Sequence, residues 1–405
     1  MWKIRLSSLF SWLFLLVTFV SVNLFSSIPI GNLWTTTLLQ IFTIYITIKK
    51  GEWLCPLLSP TYRFLNLYLL WIIICISHGI IKAENSIEYK QLIQGSIGLL
   101  LPIFTWIAYK PSFLSTILKF WYKYAIVAFL LFFYWTSGYT QFYLSPLLLL
   151  FCFFPLFPNK QAWLILVAGA LYCILAGDGR SQLLKAIPAL LIGFLFLIRN
   201  TNIPSKIIKI GHIIAYLCTI IIFVFILKNI YLVYSGNKTP DSVIQELYED
   251  ASDTRSLIYL DVLDSAIKHH YVLQGRTPAR GNDIEYSGIL FKWAYDDSYI
   301  FNKDERHANE VVHLNTFTWT GLIGLILYSL IYFKATYLAV YKSRNVYISL
   351  LGCYVAFQWS YGWIENVQQL DILNISLWTM IGICYSKEFR QMDNFQFRQW
   401  LQTLI

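Results

Sequence analysis

Four arginines, two histidines and one glutamate are the residues of this 405-residue chain whose types and spacing best suit chemistry. Arg180 follows the tight turn Ala176-Gly177-Asp178-Gly179 and stands where a long apolar run begins. A guanidinium placed there can grip phosphate oxygens with its planar fork. The plainer alternative is a charged turn in which Asp178 neutralises it. Arg255 opens a helix-like stretch from Ser256 to His270, with Asp253 or Thr254 as its N-cap. A cation in the first turn opposes the helix dipole, which makes sense where the arginine and the helix N-terminus face one anion. Arg276 and Arg280 share the irregular loop Leu273–Asp283, rich in Gly, Pro and Asn. Each could contact a ligand or be a solvated surface charge. His307, Glu310 and His313 crowd the start of another apolar run. A helix beginning by Ala308 would put Glu310 and His313 on one face, so that the carboxylate could orient the imidazole as a general base. His269-His270 and His307…His313 lack the compact partner set of a metal site, so no metal and no cofactor are expected.

The elements that must position these residues cross a membrane. Hydrophobic residues make up 57% of the chain and charged residues 13%, where a soluble domain carries about 25% charged. Apolar runs near 9–28, 31–48, 63–81, 91–109, 119–136, 142–158, 161–177, 182–198, 210–233, 313–341, 346–363 and 369–385 suggest about twelve spans, with ten to fourteen as the range. The expected fold class is therefore an all-α polytopic membrane protein. A bundle over 1–233 would hold about nine spans, 234–312 one large, partly helical loop, and 313–405 about three more spans and a tail. The first run shows no small-residue cleavage site and is expected to remain as a span.

Lysine and arginine gather in alternate short loops, which places both termini in the cytoplasm and the 234–312 loop outside. Segment 234–313 holds fourteen acidic residues against eight Lys or Arg, while the whole chain is +9. The basic balance is thus a topology signal, and no basic stripe with interleaved aromatics points to nucleic acid. None of the seven cysteines lies in the loop, so the loop is not stapled by disulfides. There is no P-loop. There is also no internal repeat of the kind transporters often carry, which disfavours a polysaccharide flippase.

The constellation resembles the superfamily of bacterial O-antigen polymerases and O-antigen ligases. The features that carry it are the many spans, the large late loop, Gly179-Arg180-Ser181 before a span, Arg255 opening the loop helix, and a His-Asn element before Gly321-Leu322-Ile323-Gly324. The family's His-Asn-x-x-Leu element is matched imperfectly by His307-Ala308-Asn309 and by His313-Leu314-Asn315, and which histidine carries the role stays open. The likeness covers mainly 176–324.

The resemblance implies a GT-C type membrane glycosyltransferase in the bacterial inner membrane with its large loop in the periplasm. It implies metal-independent inverting transfer from an undecaprenyl-diphosphate-linked glycan donor to a glycan or lipid A-core acceptor. Membrane lipids and a chain-length regulator are the implied partners. The resemblance carries over Arg180 and Arg255 for diphosphate binding. Arg276 and Arg280, which lie where the family commonly shows Gly-x-Gly, join them as diphosphate-binding candidates on the reading of the residues, with His307, His313 and Glu310 as the catalytic candidates. A polymerase of carrier-linked repeat units is the favoured reading, and an O-antigen ligase the alternative.

Overall fold

The computed structural model describes residues 6–23, 33–49, 59–131, 144–175, 180–199, 203–234, 255–287 and 305–405. The turn 176–179 and the expected N-caps Asp253 and Thr254 lie outside the described residues, as does the side chain of Arg180. The elements in chain order are α1 (Leu6–Asn23), α2 (Leu33–Lys49), α3 (Arg63–Lys82) and α4 (Ser86–Leu99). A 3-10 segment over Leu101–Ala108 extends α4, with Pro102 at its start. Next come α5 (Pro111–Leu131), α6 (Leu147–Phe151), α7 (Asn159–Leu175), α8 (Arg180–Arg199), α9 (Ser205–Tyr234) and α10 (Arg255–Lys268). The two-residue strands β1 (Asn282–Asp283) and β2 (Glu305–Arg306) pair antiparallel, Asn282 opposite Arg306. The chain closes with α11 (Val312–Lys342), α12 (Val346–Tyr361), α13 (Ile372–Tyr385), α14 (Lys387–Gln391) and α15 (Asn394–Gln402).

Among the described residues, five helices are long and apolar enough to cross a membrane: Pro60–Lys82, Ser86–Ala108, Pro111–Leu131, Ser205–Lys228 and Val312–Lys342. Ser7–Phe19, Leu183–Ile198 and Ile372–Tyr385 are shorter apolar helices. The fold is all-α with membrane-spanning character. One expected span is corrected: 142–158 holds only the five-residue α6 and a 3-10 turn over Phe154–Leu156 in its described part. Pro146, Pro155 and Pro158 lack the N–H that a continuous helix needs, and the segment Leu147–Phe154 is buried inside the bundle.

The bundle has two chemically distinct ends. At one, the Tyr62 ring stacks on Tyr385 at 5.0 Å, Ser386 donates to the Tyr109 carbonyl, and Trp400 donates to that of Pro111. Arg63, Lys110, Lys342, Arg344 and Arg390 belong to this basic end. At the opposite end α10, the β1–β2 pair and the turns around 271–281 and 362–371 form a cap. Ile258, Tyr259, Val262 and Ala266 of α10 pack with Val311, Leu314 and Phe317 and with Ile226 of α9 in one apolar cluster. That cluster fastens the cap to the bundle.

α11 is broken at Gly321, whose φ of 68° and ψ of −171° are not helical. The backbone groups freed there are met by the loop after α10: Arg276 N–H donates to Thr318 O at 2.6 Å, Leu322 N–H to Val272 O at 2.8 Å, and Ile323 N–H to Leu273 O at 3.3 Å. Trp71 of α3 donates to Thr320 O. Non-helical backbone at membrane depth is tolerated only where protein satisfies it in this way. Gly275, at φ 79°, faces the break, and a Cβ on it would meet the Gly321 N–H at 2.5 Å.

Candidate functional site

Arg180 apart, whose side chain lies outside the described residues, the residues singled out from the sequence separate into two groups at opposite ends of α10. Fourteen residues of helix put about 20 Å between them, so the four arginines do not form one clamp.

The first group lies at the C-terminal end of α10. Arg276 bonds Asp283 at 2.9 Å, the Gly281 carbonyl at 2.8 Å and Glu305 at 2.9 Å. Arg280 grips Glu305 through both Nε and Nη2. Asp283 also receives His269 at 2.7 Å and Lys268 at 3.1 Å. Burial would raise the Asp283 pKa, but the hydrogen bonds from His269, Lys268 and Arg276 outweigh it and hold the carboxyl down at about 2. These guanidinium forks are spent on carboxylates that fasten the β1–β2 pair to α10. His78, Lys82, His269, His270, Gln274, Arg276 and Arg280 line a polar cavity of about 560 Å³ beside them.

His307 belongs to the same region. Its Nε2 meets the Pro278 carbonyl at 3.0 Å, and its ring lies against Trp319. Burial drives its pKa down to about 4, against the opposing pull of the Pro278 and Gln91 carbonyls and of Glu305. With backbone carbonyls facing the ring from two segments, His307 ties the cap to α4. Asn309 and Asn315 bond each other, Asn309 N–H to Asn315 Oδ1 at 2.6 Å and Asn315 Nδ2 to Asn309 O at 2.7 Å. The two His-x-Asn elements are thus one folded unit.

The second group forms where α10 begins. Arg255 pairs with Glu365 at 2.6 Å. Lys185 of α8, only 3% exposed, lies over the Tyr361 ring at 5.2 Å and feels the charges of Glu365 and Asp371. α8 begins five residues earlier, at Arg180. His313 is buried beneath the 359–366 turn, its ring 4.4 Å from that of Trp363. Its Nε2 stands 2.8 Å from the Trp359 carbonyl. A carbonyl only accepts, so Nε2 carries the proton, and in the neutral ring Nδ1 carries the lone pair. Gly362 makes this approach possible, since a Cβ there would come within 2.9 Å of His313 Nε2. Among the described residues, several buried polar atoms here have no hydrogen-bond partner: Arg255 Nε, His313 Nδ1, Gln358 Nε2, Trp363 Nε1 and Asn366 Oδ1. Buried polar groups are normally paired, so the free His313 Nδ1 calls for a role other than packing.

The expected pairing of Glu310 with His313 is corrected. α11 begins at Val312, not by Ala308, so Glu310 precedes the helix and its half-exposed carboxylate faces Arg306 at 3.7 Å. Lys185, Gln358, Trp363, Glu365 and Asn366 were not singled out from the sequence. Their signals were an ionisable residue inside an apolar run and the polar string Glu365-Asn366-Val367-Gln368-Gln369-Leu370-Asp371 between two short ones.

This arrangement offers an unprotonated imidazole nitrogen on His313, an arginine at the start of α10 paired with Glu365, and a buried lysine on α8 within the field of the same carboxylate. Such a set can take a proton from a hydroxyl and hold an anionic leaving group. No family model, curated protein or solved structure matches the chain.

Proposed function

We propose that the chain is a membrane glycosyltransferase that joins polyprenyl-diphosphate-linked oligosaccharide units into O-antigen or a related surface polysaccharide. The observation that carries the reading is His313, whose Nε2 is committed to the Trp359 carbonyl and whose buried Nδ1 has no partner. The acceptor hydroxyl gives its proton to Nδ1 as its oxygen bonds to the anomeric carbon of the donor. The bond from that carbon to the diphosphate breaks, and the carrier diphosphate leaves with the electron pair. Attack from the face opposite the leaving group inverts the anomeric centre.

Arg255 and Lys185, with Arg180 at the start of α8, stabilise the charge that develops on the diphosphate. Glu365 holds Arg255 in place until the donor arrives. For His313 to reach a hydroxyl, the turn after α12, over 362–366, must part from the Nδ1 side of the ring as the substrate enters, while the Trp359 carbonyl keeps its bond to Nε2. The polar cavity at the far end of α10 takes sugars beyond the reacting one, and Arg276 and Arg280 fix its wall. Transfer of finished polymer onto a lipid A-core is the competing outcome in the test. In a deletion strain, gel analysis of surface glycan is expected to show core carrying a single repeat unit. Bare core with polymer left on the carrier would identify a ligase instead, and an unchanged glycan pattern would contradict both.

A further inference from the structure

The basic half of the bundle holds a second cavity that the transfer chemistry does not use. It has about 500 Å³ and lies among α5, α6 and α7, within the roughly 300–1,000 Å³ of small-molecule sites. Its walls include Ile126, Leu147, Leu150, Leu164, Ile165 and Ala168. Lys119 and Lys123 of α5 stand on its rim one helical turn apart, both exposed. Among the described residues neither has a carboxylate within ion-pair distance, and Lys123 rests over the Tyr124 ring at 5.2 Å. α5 starts at Pro111, whose carbonyl is held by Trp400 at the basic end. An apolar pocket with two exposed lysines on its rim, neither in an ion pair among the described residues, complements a molecule with an acyl chain below and a negative group above.

We propose that this cavity binds one anionic phospholipid, its acyl chain between α5 and α7 and its phosphate over Lys119 and Lys123. Apolar walls exclude a free phosphate as the occupant, and the charge on the rim favours an anionic headgroup over a zwitterionic one. The site is independent of the His313 centre and does not rest on the transfer reaction.

The test is native mass spectrometry of the purified full chain after exchange into detergent containing phosphatidylglycerol or phosphatidylcholine. Phosphatidylglycerol is expected to stay bound as a single adduct where phosphatidylcholine does not. The K119Q/K123Q double variant should lower that adduct at least fivefold, as expected from losing two lysine–headgroup attractions. Ala168→Phe, which fills the cavity and leaves both lysines, should lower it as far. Equal retention of the two lipids, or an undiminished adduct in the double variant, overturns the proposal. If Ala168→Phe fails to fold, the lysine variant alone decides, because its changes lie on the exposed rim.

Discussion

His313 and His307 stand six positions apart, yet their surroundings give them different work. His313 spends one nitrogen on a carbonyl and leaves the other unpaired in a buried pocket. His313→Gln should therefore lower transfer about 100-fold or more, the scale of a lost general base, with unchanged protein level in the membrane. His307 is a fastening, and its signature is pH-dependent stability. In the unfolded chain its ring takes a proton near pH 6.5, whereas in the fold burial delays this to about 4. Between those values the unfolded chain binds more protons, so the fold loses stability as pH falls from about 6.5 towards 4. His307→Gln should flatten that slope in thermal unfolding of the detergent-solubilised protein, and an unchanged slope would contradict the assignment. Arg255→Lys tests the other half of the centre. A lysine keeps the charge but loses the fork, so transfer should fall at least tenfold while the protein still folds. Near-normal transfer would mean that a point charge suffices.

At the scale of elements, the break in α11 is the feature that most shapes the cap. Gly321 and Gly275 face each other with positive φ, and the three backbone hydrogen bonds around them join the loop after α10 to the bundle. An L side chain at either position is strained by about 1–3 kcal/mol, and it would also collide with backbone across the contact. Gly321→Ala and Gly275→Ala should each lower the melting temperature by several degrees and should lower transfer with it. A variant of either kind with wild-type melting would contradict the packed geometry.

Apolar runs of suitable length announced most of the helices from the sequence, because the bilayer demands such runs. Run length misled at 142–158, where three prolines within an apolar run make a short buried helix instead of a span. The break at Gly321 had no local signature either. It is stable because residues 272–276 and Trp71 satisfy its backbone, and those partners are brought there by tertiary packing.

Across the whole molecule, charge divides the two ends. Arg63, Lys110, Lys342, Arg344 and Arg390 gather at one, and Glu84, Asp283, Glu305, Glu310 and Glu365 at the other. By the positive-inside rule we propose that the basic end faces the cytoplasm. A cysteine at Glu310 should then react with a membrane-impermeant maleimide in cells with a permeabilised outer membrane, and one at Lys387 only after lysis. The reverse pattern would invert the topology and remove the candidate site from the periplasm.

The candidate site itself was half legible in the sequence. Arg255 and His313 stood out by type and position. Glu365, the partner of Arg255, and the buried Lys185 come from a turn and a helix far along the chain, and only the packing of α8 and α12 brings them near. The separation of Arg276 and Arg280 from Arg255 follows from the length of α10, and what the sequence hid was that Asp283 and Glu305 take up both guanidinium groups.

In the proposed reaction His313 accepts the proton of a sugar hydroxyl while Arg255 and Lys185 hold a departing diphosphate. The most direct measurement supplies the purified protein in detergent or nanodiscs with a polyprenyl-diphosphate-linked repeat unit and follows chain growth and released carrier diphosphate. The expected result is elongation by the wild-type protein, with release of one carrier diphosphate per bond formed and loss of about 100-fold or more in His313→Gln. Elongation by His313→Gln at a rate within a few-fold of wild type would contradict it.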